Sequence, residues 1–173
     1  MTYRTTLVGL ADLSGATVAA LWSLWEAGRI DRAEFVARAA VVVATANARA
    51  ATLADLSLAA AISVQLGQVI PAIGITPIDD MDRIRDAAST VAELGTVGRA
   101  VRLARAEPLE AAARAYSAGI AESPHVVGWR RQTSSDACPL CTGWARAGAL
   151  PDSVAMRTHK GCSCIPVPVT EGA

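Results

Sequence analysis

The chain is poor in the residues from which most active sites are built. It has two histidines, a single lysine and no cysteine in its first 137 positions. It contains no HExxH or GxSxG motif and no glycine-rich phosphate loop. Its 16 basic and 16 acidic residues cancel, so no net charge draws it toward nucleic acid or an anionic membrane. These absences argue against an assembled active site, and we predict no catalytic residues and no enzymatic activity.

Long uninterrupted apolar runs are also missing. The N-terminus lacks a basic segment followed by an apolar core and a cleavage site, and Asn47, Arg49 and Asp55 break the most apolar windows. We therefore expect no signal peptide and no membrane span. A chain of 173 residues predicts one domain, with or without a small appendage. We expect it to fold in a reducing cytoplasm, where clustered cysteines bind metal more often than they form disulfides.

Helical periodicity dominates the first 123 residues. Apolar residues recur there at steps of three and four, and alanine is abundant. This pattern predicts a mainly α fold, with long alanine-rich helices packed antiparallel. Gly28 is the expected end of the first helix. Because Gly9 and Gly15 weaken the start of that helix, its regular part is expected to begin near Ala16.

The second helix has a clear start signal. Asp31 is a good N-cap, and Glu34 three residues later completes the pattern of a capping box. No breaker follows for more than 30 residues. A continuous helix from Arg32 to Ile70 would be about 58 Å long. That length predicts either a kinked helix or an elongated molecule.

The composition changes after Ser123. Alanine becomes less frequent, and two β-like runs, VVGWRRQT and CIPVPV, flank the four cysteines. We therefore predict two domains, a helical domain over residues 1–123 and a small C-terminal α+β module over residues 124–173. The Cys/His content of this module is typical of a zinc-ribbon-like unit.

All four cysteines and one of the two histidines lie within 27 residues, in the pattern C-x2-C-x17-H-x2-C-x-C. Zinc prefers four nitrogen or sulfur ligands, and a C-x2-C pair supplies two of them from one tight turn. The glycine- and proline-containing spacer lets the second group fold back onto the first. The pattern thus predicts a structural zinc site with five candidate ligands for four places: Cys138, Cys141, His159, Cys162 and Cys164.

Two alternatives to metal binding stay open for the cysteines. They can remain as buried free thiols or, if the protein is exposed to oxygen, Cys138 or Cys141 can form a disulfide with Cys162 or Cys164. They can also serve redox or catalytic chemistry. Against the latter, no second histidine lies nearby in sequence and no helix is expected to start directly after the C-x2-C. Arg130 and Arg131 next to Trp129 are interpreted as a solvated strand edge rather than a phosphate contact.

Three short stretches carry a resemblance to a known family. The run V-G-W-R-R-Q, the pair C-P-L-C and the segment T-H-K-G-C-S-C with its Pro/Val-rich end resemble the C-terminal part of phage Mu F-like minor head proteins, of the type found in phages of actinobacteria. Cys138 and Cys141 match the family's CxxC knuckle, and His159, Cys162 and Cys164 match its H-P-x-C-x-C segment. The family's usual proline after the histidine is Lys160 here. The resemblance covers about the last 45 residues.

The resemblance implies a structural protein of the virion head, made in the host cytoplasm. Such proteins associate with the portal protein or the inner surface of the major capsid protein, and act in head morphogenesis or in handling packaged DNA. It implies no membrane and no small-molecule substrate. The alternative is a capsid maturation protease, for which His125 near Ser123 would be the only free base.

Overall fold

The fold is mainly helical with a small C-terminal sheet, which confirms the predicted class. The computed structural model describes residues 2–78, 80–93, 95–135 and 137–171. Within these ranges it contains five helices and three strands: α1 (Tyr3–Glu26), α2 (Arg32–Leu66), α3 (Met81–Glu93), α4 (Val97–Glu122), β1 (Val126–Gln132), α5 (Pro139–Ala145), β2 (Ala149–Pro151) and β3 (Ile165–Thr170).

Consecutive long helices run antiparallel. Trp22, near the end of α1, packs edge-on against Phe35, near the start of α2, with ring centroids 5.4 Å apart. Arg32, the first residue of α2, bonds to Glu93, the last residue of α3, at 2.7 Å. Helix α2 packs against all three other long helices and against β3. It is therefore the central element of the molecule.

The expected start of α1 near Ala16 is wrong. The helix begins at Tyr3, where Thr2 and Thr5 form a capping box with hydrogen bonds of 2.9 and 3.3 Å. Gly15 does not end the helix, because the absence of a side chain there lets α1 pack closely against α4. A Cβ added at Gly15 would lie 2.6 Å from the Arg105 side chain of α4. Tertiary packing here overrides the low helix propensity of glycine.

Helix α2 begins where the sequence predicts and runs for 35 residues, about 52 Å. The Asp31 carboxylate accepts a 2.7 Å bond from the Glu34 main-chain N–H. The capping box is only half formed, because the Glu34 carboxylate pairs with Arg38 instead. The helix ends at Gly67, which adopts the left-handed conformation with φ 65°.

The sheet has the strand order β2-β1-β3, with both pairings antiparallel. It shares a buried core with the helices, because Trp129 of β1 and Met156 lie in the same apolar cluster as Leu58 of α2 and Tyr116 of α4. The chain therefore changes from helix to sheet at residue 123 without separating the two parts.

By length and composition alone, α1 and α2 are apolar enough to cross a membrane. That criterion is weak, since buried core helices also meet it. Half of the apolar window of α2 and a third of that of α1 are buried within the fold.

The tight approach of β1 and β2 gives a test of this packing. A Cβ at Gly128 would lie 2.4 Å from the main-chain oxygen of Leu150. We expect Gly128→Ala to lower the free energy of unfolding by about 1–3 kcal/mol, as overpacking does. The matched control is Gly9→Ala in α1, where a Cβ would meet no described atom of the rest of the fold within 4 Å; it should raise stability by up to about 1 kcal/mol. Denaturant unfolding measures both, and an unchanged midpoint for Gly128→Ala would contradict the β1–β2 packing.

Candidate metal centre

Two loops of the C-terminal module carry the five candidate ligands. Cys138 is the N-cap of α5, and Cys141 lies in its first turn. The other three precede β3, where the main-chain N–H of Cys162 donates to the carbonyl of His159 at 2.9 Å. Gly161 allows this reversal by adopting φ 77°. Antiparallel pairing of β1 with β3 then holds the second loop against the first.

The structure brings the ligand atoms together in two overlapping groups. The Nε2 atom of His159 lies 3.2 Å from the Sγ of Cys138 and 3.2 Å from the Sγ of Cys141. The Sγ of Cys141 lies 3.4 Å from that of Cys162. Within each group all ligand atoms lie within 4.8 Å of one another, and Cys141 belongs to both: Cys138, Cys141 and His159 form one, and Cys141, Cys162 and Cys164 the other.

These separations fit metal ligands better than a disulfide. A disulfide requires two sulfurs about 2.0 Å apart, and all four cysteines are free. Around a tetrahedral ion with bonds of about 2.3 Å, neighbouring sulfurs lie about 3.8 Å apart. The observed 3.4 Å between the sulfurs of Cys141 and Cys162 is closer to the distance between two metal-bound sulfurs than to a disulfide bond. The Cys/His groups can therefore hold a metal ion, and the predicted disulfide alternative is not at bonding distance.

The tautomer of His159 also suits a ligand. Its Nδ1 lies 3.2 Å from the carbonyl oxygen of Lys160, which can only accept, so Nδ1 carries the proton. The lone pair of Nε2 then faces the two thiols. Metal-binding histidines usually donate their second N–H to a carbonyl or carboxylate in this way. In a catalytic Cys–His pair the imidazole acts as the base for one thiol. Here the imidazole of His159 is equally close to two thiols, as expected of a metal ligand.

The thiols differ in their tendency to ionise. The main-chain N–H of Cys141 lowers the pKa of Cys138, which is the residue just before the short helix α5. Burial opposes ionisation of Cys164, but bonds from the Ser134 main chain, the neighbouring thiols and Arg131 bring its pKa below the ordinary value. Burial raises the pKa of Cys141. Since metals bind thiolates, a cation at this point would offset the cost of ionising that buried sulfur.

Arg131 covers the cluster, so its assignment to a solvated strand edge is wrong. Its guanidinium lies 5.1 Å from the ring centroid of Trp144, 3.9 Å from the Sγ of Cys162, and donates to the carbonyl of Arg157. Arg130 is exposed, as expected. Alternation along a strand was the signal that could have found this role, because Arg131 lies two residues after the buried Trp129.

The expectation that no helix follows the C-x2-C directly is also wrong. Helix α5 begins at Pro139, inside the motif, because a proline in the first turn needs no hydrogen-bond partner for its nitrogen. This removes one argument against a redox pair. A redox pair, however, needs only two sulfurs, whereas the thiol of Cys141 lies within 3.4 Å of both His159 and Cys162.

The second histidine lies apart from the cluster. His125, Ser123 and Asp55 line a cavity of about 210 Å³. The Asp55 carboxylate accepts three main-chain N–H groups, from residues 73, 74 and 75. The Ser123 hydroxyl accepts from the main-chain N–H of His125. Among the described residues, no hydrogen bond joins the His125 imidazole to either side chain.

Comparison with known proteins returned no match: no protein-family model, no curated protein and no solved structure matches the chain. The resemblance to the Mu F-like minor head proteins therefore depends on the C-terminal stretches quoted above.

The shared position of Cys141 predicts unequal effects of losing single thiols. Cys141→Ser should weaken metal binding by more than the roughly 10- to 100-fold typical of losing a hydrogen bond to a ligand. Cys138→Ser should have a smaller effect, because it leaves the group of Cys141, Cys162 and Cys164 intact, whereas Cys141→Ser removes a member of both groups. Titration with Co²⁺, followed by its tetrahedral absorption bands, measures both. Ser163→Ala, between two candidate ligands, is the matched control. Equal losses for the two cysteine variants would contradict the shared role.

Proposed function

We propose that this protein is a minor structural component of a phage head, with a C-terminal module held by zinc and helices that bind the portal or the inner capsid surface. One observation carries the proposal. The three stretches that resemble the Mu F-like family are separate segments of the sequence, and in the fold they form one cluster. Arg131 of the V-G-W-R-R-Q strand lies over Trp144 and beside Cys162, and C-P-L-C faces the His159 segment.

Zinc is the metal that suits this site best. The groups consist only of thiols and an imidazole, which favour zinc over calcium or magnesium. Zinc would take Cys138, Cys141 and two of the remaining three candidates. With five candidates for four places, the site keeps no open position for a substrate, which supports a structural rather than a catalytic ion.

The outer faces of the helices support a binding role. Large apolar side chains of α1 and α2 point away from the core, with Val64 82% exposed and Leu13, Val41 and Leu56 more than half exposed. Leu13 and Val41 line one groove between α1 and α2, and a contiguous exposed apolar surface is the kind that another protein covers. In the proposed head, the portal or the major capsid protein covers them. The protein then acts by binding and not by processing the capsid precursor.

Zinc content tests the first half of the proposal. Protein purified under reducing conditions should contain about one zinc per chain, since the two ligand groups share Cys141. Elemental analysis measures this, and thiol titration should find the cysteines protected until a chelator is added. Protein that contains no zinc and has four reactive thiols would contradict the site, as would a mass that shows two disulfides.

Incorporation into heads tests the second half. The double variant Cys138→Ser/Cys141→Ser should reduce the amount of this protein in purified heads several-fold by loosening the C-terminal module, while the capsid precursor is processed as in wild type. Leu140→Ala, an exposed position between the two cysteines, is the matched control and should leave incorporation unchanged. The alternative protease function predicts the opposite result. In that case His125→Ala would leave full-length capsid precursor in heads that contain normal amounts of this protein.

A further inference from the structure

A second site lies between α2, α4 and the extended segment that joins α2 to α3. It is a cavity of about 390 Å³ that shares no residue with the cysteine cluster. Its walls are mostly apolar, with isoleucines from the extended segment and alanines from α4, and its volume is typical of small ligand pockets. The polar groups that matter are few: Asn47, Asp80, Arg114 and Glu122.

Asn47 is the unusual member of this wall. It is only 5% exposed, and neither its Nδ2 nor its Oδ1 has a hydrogen-bond partner within the described part of the chain. Buried polar side chains are nearly always satisfied, because an unsatisfied one loses its hydration without compensation. Asp55, two turns further along α2, shows the contrast, since it accepts three main-chain N–H groups. The donor and the acceptor of Asn47 are thus unpaired at the cavity wall, but almost none of either atom is exposed, so a group that enters the cavity pairs with them once the side chain turns toward it.

The complement of a carboxamide is a group with an acceptor and a donor side by side. A peptide bond and its neighbour offer this pair, and so does the edge of a nucleobase. The cavity favours the peptide. Among the described residues, no aromatic side chain lines it to stack on a base.

The extended segment supplies a second place for main-chain pairing. The N–H groups of residues 73–75 bind Asp55, but no hydrogen bond to another described residue engages the main-chain N–H of Thr76 or of Ile78. Both residues line the cavity. Exposed main-chain groups of extended segments are the sites to which partner peptides add as strands.

The positive charge of Arg114 would orient a ligand in the cavity. The side chain of Arg114 is 45% exposed, and its nearest carboxylate, that of Asp80, lies 3.9 Å away. That carboxylate is already held by Arg83 at 2.5 Å. Arg114 therefore has donors to spare at the cavity wall. We infer that the cavity binds an extended peptide segment that presents a main-chain amide to Asn47 and a carboxylate to Arg114.

A library of acetylated tetrapeptides, made once with a free C-terminal carboxylate and once with a C-terminal amide, tests this. Fluorescence-based binding to the full chain should select apolar peptides with the carboxylate. Asn47→Leu keeps the shape of the side chain and should weaken the selected peptides about tenfold or more. Arg114→Gln should weaken carboxylate peptides but not amide peptides. Ser14→Ala is the matched control, because Ser14 is also buried without a partner but lines a groove between α1 and α2.

Thermal unfolding separates a binding role from a structural one. If Asn47 has no partner within the fold, Asn47→Leu should leave the unfolding temperature unchanged or raise it. A clear decrease would mean that the carboxamide is bound inside the folded chain, for example by buried water, and would overturn the inference. Equal peptide binding by wild type and Asn47→Leu would also overturn it, as would selective binding of single-stranded DNA in place of peptides. None of these results depends on zinc or on incorporation into heads.

Discussion

The close packing of α2 against α4 is the constraint on which the rest of the structure depends. Small side chains contribute to it, and Ala54 of α2 and Ala112 of α4 are fully buried in the core that the two helices share. At Gly119 a methyl group would force the Leu58 side chain to shift, because a Cβ there would lie 2.6 Å from it. Small residues let two helices approach closely. That approach fixes the end of α4, and hence the place where the sheet begins.

Contacts with α2 and α4 hold the cysteine cluster in place. Gln65, at the end of α2, bonds to the carbonyl of Pro168 at 2.8 Å and accepts from the main-chain N–H of Thr170 at 3.2 Å, which ties β3 to the bundle. The loop that carries His159 is tied to α4 as well, because the Lys160 ammonium lies 3.3 Å from Glu110 and 3.9 Å from the buried Glu107. Lys160 stands where the resembling family usually has proline. Lysine in place of proline thus puts a positive charge beside the buried carboxylate of Glu107.

Features set by neighbours in sequence were predictable, and those set by distant contacts were not. Asp31 and Gly28 mark helix ends through local hydrogen bonds and backbone conformation, and both act as expected. The meeting of the Cys/His ligands followed from their spacing. The start of α1 could not be predicted, because a glycine that breaks helices in isolation lies here against Arg105. Strand β2 was missed because three residues carry no recognisable pattern.

The polar residues of α2 show why burial could not be assigned from sequence. Asn47 and Asp55 interrupt an apolar window and were expected only to exclude a membrane span. Both point into the fold, where Asp55 organises the segment after α2 and Asn47 lines a cavity. Apolar residues of the same helix, including Val64, point outward. An alanine-rich helix can present either arrangement, since alanine suits both environments. The buried face of α2 is still mainly apolar, because Asn47 and Asp55 are two polar residues among fourteen that are buried; the apolar side chains on its outer face are those that a partner would cover in the proposed head assembly.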